Sequence, residues 1–153
     1  MGVRSDIETG LIAALAAAEI SEDVPAFRSV VGWFADRGAG ESIEEALARV
    51  VPPAAYVVYT GTGYTPRGEA VAGSQDWIVF LVISTLRAQA ADRTKTGGVY
   101  DLLELAIAVL NDVTLTQGTT IFKPYLRSDG LQSADGRQSI WRLVFGIQHH
   151  AIP

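Results

Sequence analysis

The sequence predicts an α+β fold: a mixed, mainly antiparallel β-sheet of about four to five strands with about three helices packed on it. Three stretches carry that expectation. Trp77 to Ile83 is apolar at every position. Successive strand side chains point to opposite faces, so such a strand must be covered on both and belongs inside the sheet. Val99 to Leu110 sets Val99, Leu102, Leu103, Ala106, Ile107 and Leu110 at the spacing of one helical face, with Asp101 and Glu104 turned elsewhere, so this helix should lie on the sheet. Ile140 to His149 alternates, with Trp141, Leu143, Phe145 and Ile147 on an apolar face and Ile140, Arg142, Val144, Gly146 and Gln148 on a mixed one.

In chain order, Ser5 and Glu8 make an S-x-x-E capping box that should open a first helix. Its face of Ile7, Leu11, Ala14, Leu15 and Ala18 runs to the neighbourhood of Glu19. Pro25 stops any continuation, and Phe27 to Val31 reads as a short strand. Gly32 to Gly40 reads as a glycine-bounded loop whose Trp33 and Phe34 cover the edge of the core. A second capping box, Ser42 with Glu45, opens a short helix through Val50 that Pro52 and Pro53 end. Ala54 to Thr60 is strand-like. Gly61 to Ser74 reads as a long polar connection to the Trp77 strand, giving an antiparallel pair with an extended loop or a projecting hairpin. Arg87 to Gly98 is a second polar stretch, and Asn111 stands where the Val99 helix should end. Ile121 to Arg127 and the Ile140 strand read as two strands joined by a loop with turn signals at Asp129-Gly130 and Asp135-Gly136. Pro124 cannot donate to a ladder, which puts the Phe122 strand at an edge or breaks it.

A length of 153 residues fits one domain, 1–153, with core enough to need no disulfide or metal staple. Hydrophobic residues at 48% and a mean hydropathy of +0.21 exclude intrinsic disorder, and charged residues at 19% hint that another subunit covers some surface. A net charge of -5 speaks against general nucleic-acid binding, which needs a basic footprint to displace counterions. With no cysteine, thiolate and disulfide chemistry are absent. No apolar run reaches the roughly 18 residues of a membrane span, and the early acidic residues read as a helix of the mature protein made in the cytoplasm.

The inventory of catalytic motifs is thin. Lys95-Thr96-Gly97 matches one element of the serine penicillin-binding enzymes, but no serine here is followed by lysine three positions on. Gly61-Thr62-Gly63 follows a strand but lacks the helix and the Gly-Lys-Ser/Thr sequence of a phosphate loop. His149 and His150 are adjacent, so on a strand they point to opposite faces and cannot share a metal. Glu44 and Glu45 serve a helix start better than acid–base work. No catalytic, metal or cofactor site is therefore expected. Arg87, Arg93 and Lys95, with Arg67 upstream, are the basic residues best placed to meet an acidic partner.

Gly97 to Glu104, followed by the strand Ser139 to Phe145, resembles the corresponding segments of the Mu-like phage and prophage tail terminator proteins. The order of helix, short strand, helix and Ala54 strand extends the resemblance over nearly the whole chain. The resemblance implies a structural protein of the virion tail or neck: a small α+β subunit that forms a homo-hexameric ring, caps the tail tube protein, and offers a surface to the head–tail connector and, in contractile tails, to the sheath protein. It implies no enzyme activity, cofactor, membrane or sequence-specific nucleic-acid partner. Alternatives are another neck or tail-completion protein, or a small ligand-binding or enzymatic domain using the Gly61 to Ser74 loop. Tyr64, Arg67, Arg87, Arg93, Lys95 and Arg127 are the expected interface residues, placed by their position in polar segments and at a strand end and not transferred from the family.

Overall fold

The apolar run Trp77–Ile83 lies where its lack of any wet face requires, in the middle strand of a five-stranded sheet. A computed structural model of the chain describes residues 3–33, 42–67, 70–84, 98–117 and 120–151. Among these, the elements are α1 (Val3–Ala16), β1 (Glu19–Ser21), β2 (Val24–Pro25), β3 (Ser29–Gly32), α2 (Ile43–Arg49), β4 (Ala54–Arg67), β5 (Ala70–Ser84), α3 (Val99–Asp112), β6 (Leu115–Gln117), β7 (Thr120–Phe122), β8 (Tyr125–Ala134) and β9 (Gln138–Ala151). The main sheet has the order β3-β4-β5-β9-β8, with β3 parallel to β4 and every other pair antiparallel. The fold is therefore α+β with a mixed, mainly antiparallel sheet. Two small sheets, β1-β2 and β6-β7, stand apart from it.

Alternation along the strands divides the core in two. Trp77, Val79, Leu81 and Ile83 of β5 join Leu143, Phe145 and Ile147 of β9 beneath α1, α3 and the β6-β7 pair, meeting Ile7, Leu11 and Leu15 from one helix and Leu102, Ala106 and Leu110 from the other. Phe80 and Val82 face the opposite way and pack with Tyr56, Val58, Ala46 and Leu47 beneath α2. Ser42 caps α2 as its motif predicts, its Oγ accepting from the Glu45 N–H at 3.2 Å. At the other end, the buried Gln138 donates Nε2–H to the Leu47 carbonyl at 3.1 Å, satisfying one of the acceptors a helix leaves open and tying α2 to β9.

Several boundaries differ from the sequence reading. α1 already runs at Val3, so Ser5 lies inside the helix and does not cap it; the helix ends at Ala16, and Glu19 belongs to β1. Pro25 sits in β2, and the strand read at Phe27–Val31 is Ser29–Gly32. Of the aromatics expected to cover the core's edge, Trp33 packs against the α2 side, while Phe34 lies outside the described residues. α3 continues past Asn111 to Asp112 and is capped at Val113. The segment Ile121–Arg127 is broken at Lys123-Pro124, its first part pairing in β7 and its second opening β8. Asp129-Gly130 lies within β8; the turn is at Asp135, whose N–H donates to the Gln138 carbonyl at 2.9 Å and whose carboxylate accepts from the Arg137 and Gln138 amides at 2.7 and 2.8 Å. For Gly61–Ser74, read as an extended loop or a projecting hairpin, the structure has the hairpin: β4 and β5 stay paired out to Arg67↔Ala70.

Candidate functional site

The pairing of β4 with β5 beyond Gly61 makes a projecting arm. β3 covers β4 only from Ala54 to Val57, and β8 covers β9 only as far as Gly146, so past those positions three strands continue alone. β9 forms the arm's third strand, still paired with β5 at Val71↔Ala151. Both long edges of the arm are unpaired among the described residues, as is the outer edge of β8. Unpaired edges carry backbone donors and acceptors that another strand can use.

A bulge decides which way the arm's side chains face. Tyr59 pairs with Trp77 and Gly61 with Asp76, so β4 spends one extra residue, Thr60, at that point. Thr60 Oγ1 donates to the Asp76 carbonyl at 3.0 Å, and Gly61 takes a φ of 156°, open to glycine. Without the extra residue, Thr62 and Tyr64 would fall on the face opposite Tyr59. With it, they share that face.

There Arg4, from the first turn of α1, reaches them. Its guanidinium stands 5.2 Å from the Tyr59 ring centre, and its Nη2–H donates to the Tyr64 hydroxyl at 3.1 Å. Tyr59 and Thr62 hydroxyls hydrogen-bond to each other, and the Tyr59 ring packs on Trp77 at 5.2 Å. Trp77 Nε1–H in turn donates to the buried Gln75 Oε1 at 3.0 Å. Burial pushes the Tyr59 phenol up, but the Thr62 hydrogen bond and the nearby Arg4 outweigh it and hold the group below the ordinary tyrosine value.

The opposite face carries a second arginine at the same level. Arg127 of β8 reaches across β9 to β5: Nη1 lies 2.6 Å from Asp76 Oδ1, and Nη2–H donates to Ser74 Oγ at 3.2 Å and to the Tyr125 hydroxyl at 3.0 Å. Both partners of the ion pair are 40% exposed. Such reach is possible because the residue between them is Gly146, on the rung shared by Asp76 and Tyr125. A Cβ there would stand 2.5 Å from Tyr125 Cζ and 2.8 Å from Arg127 Nε. The Arg127 hydrogen bond holds the Tyr125 phenol below its ordinary value.

Of the six residues expected at an interface, Tyr64 is on the arm and 52% exposed, Arg67 ends β4 near the arm's tip, and Arg127 is at the arm's base. Arg87, Arg93 and Lys95 lie outside the described residues. Sequence reasoning missed Arg4, Ser74, Asp76 and Gly146. A glycine in the mixed face of an otherwise regular strand is the one signal that pointed to a close approach there.

Elsewhere, a recess of about 380 Å³ opens at the start of β3 and β4, remote from the arm, between Val24, Phe27, Arg28 and Pro53. Among the described residues Arg28 is its one ionisable lining residue. Among the described residues no cluster of three metal-ligating side chains occurs, and no helix is long and apolar enough to cross a membrane. The family model described as Bacteriophage Mu, Gp37 matches residues 5–134. No curated protein matches the chain.

Proposed function

Because the chain belongs to the Bacteriophage Mu, Gp37 family, we propose that it is a structural subunit of the phage tail, a terminator that closes into a ring on the end of the tail tube. The ring stops elongation and offers its far surface to the head connector. It is a homo-hexamer that contacts the tube protein and, where a sheath exists, the last sheath ring; it has no catalytic role and uses no cofactor.

The observation that carries this reading is the arm, a three-stranded extension whose edges are unpaired among the described residues. A closed ring joins two different surfaces of each subunit, and a sheet with its free edges on opposite sides supplies two. The exposed Leu131 on β8, at 53%, and Tyr64 on the arm add apolar and aromatic contact area at such edges. Light scattering behind size-exclusion chromatography, run across concentration, should reveal a ring-sized species, and a phage lacking the gene should make tails of uncontrolled length. Tails of normal length in that phage would end the proposal.

A further inference from the structure

Arg4 and Arg127 meet the arm from its two faces at the level where the sheet narrows from five strands to three. Arg4 holds Tyr64, whose β5 partner is Gly73, and Arg127 holds Ser74, whose β4 partner is Gly63. Both contacts thus reach past the bulge at Thr60 and Gly61 into the arm proper. Among the described residues the Tyr59–Thr62 hydroxyl bond is the other side-chain tie at this level, while Cβ atoms built on Gly61 or Gly63 would touch nothing within 4 Å, and Gly63, Tyr64 and Thr65 are exposed. A ribbon that leaves its sheet at a glycine bulge is free to bend about that point unless side chains brace it.

We propose that Arg4 and Arg127 are positioning residues that brace the β4–β5–β9 arm from opposite faces and hold it at one angle to the body. The two braces oppose each other, so neither alone fixes the angle. Arg4 stops the arm from swinging away from α1, and Arg127 stops it from folding toward α1. The bulge is part of the device, because it turns Tyr64 onto the Arg4 face. An arm presented at a fixed angle loses less freedom when it docks, whatever partner it meets. The inference is therefore independent of the ring.

The cysteine-free chain makes the test direct. Nitroxide labels on Thr65→Cys at the arm and Glu104→Cys on α3, both exposed positions, report the angle as a distance by pulsed electron paramagnetic resonance. The native background should give one narrow distribution. Arg4→Ala with Arg127→Ala should broaden it at least twofold, with amide exchange of Thr62–Gly73 rising about tenfold while that of Trp77–Ile83 stays unchanged. Tyr64→Phe, which removes only an exposed hydroxyl, should raise exchange on the arm by a few-fold without touching the fold, and so covers the case in which the double variant is unstable. A distribution equally narrow in the double variant, one already broad in the native background, or arm exchange unmoved by Tyr64→Phe overturns the proposal.

Discussion

Two carboxylates show how single residues couple this fold to pH, with opposite signs. Burial against Gly32 pushes the Glu8 carboxyl up. Its folded pKa then lies above the unfolded one, the native state holds the proton longer, and stability falls as pH rises through that window. Glu8→Gln should raise Tm at neutral pH, and the advantage should vanish below the ordinary carboxylate range. Asp135 goes the other way: the Gln138 and Arg137 amides hold its carboxyl below the usual range. Its contribution is present above the unfolded pKa and is lost as pH falls through the folded one, so Asp135→Ala should be less stable than the native chain at neutral pH and converge with it in acid. Thermal melts across pH distinguish the two, and parallel curves for either variant would refute its assignment. Gly146 acts by absence. Gly146→Ala should cost about 1 kcal/mol by displacing the Tyr125 ring, and adding Tyr125→Ala should recover most of that loss in a double-mutant cycle; strictly additive effects would show that the crowding is not with Tyr125.

At the scale of elements, the two capping boxes behave differently although their sequences match equally well. Ser42 makes its bond to Glu45, and Ser42→Ala should cost about 1 kcal/mol, read as a lower urea midpoint with unchanged slope; no shift would mean that α2 is held by packing alone. Ser5 fits the same pattern, yet α1 is already helical two residues earlier. A local motif names a helix start without saying which turn it is. The strands divide likewise. β5 and β9 were legible because burial imprints a pattern on them, whether continuous or alternating. β8 was legible only in its first residues, since nearly all its side chains are exposed and its register comes from hydrogen bonds to β9. The outer halves of β4 and β5 left open an extended loop or a projecting hairpin for the same reason: their glycines and polar residues carry no burial signal, and backbone pairing makes them strands. The site was less legible than the fold, because Arg4 and Tyr64 stand 60 positions apart and Arg127 and Ser74 stand 53 apart. No sequence periodicity relates residues that meet only through sheet register.

For the molecule as a whole, the core and the proposed contact surface lie on different parts of one sheet. From Ala54 to Tyr59 on β4, and from Trp77 to Ile83 on β5, the side chains belong to the two core clusters or pack against them. Beyond Gln75, among the described side chains, no large apolar residue is buried, and the ribbon is held by its backbone pairing, by Arg4 and Arg127 and by the Tyr59–Thr62 hydroxyl bond. Replacing Gly63–Ser74 by a two-residue Asn-Gly turn, which suits the antiparallel pair left behind, removes the ribbon and keeps Gln75, Trp77 and their partners. Few core contacts are lost, so Tm should fall by no more than about 4 °C, the equivalent of roughly 1–2 kcal/mol at this size. Self-association, if it runs through the arm, should disappear in the same variant while near-ultraviolet circular dichroism still reports a packed Trp77. A shortened chain that is folded but still assembles would move the contact surface to β8 or to residues outside those described. One that fails to fold would place the arm within the cooperative core and contradict the division drawn here between scaffold and contact.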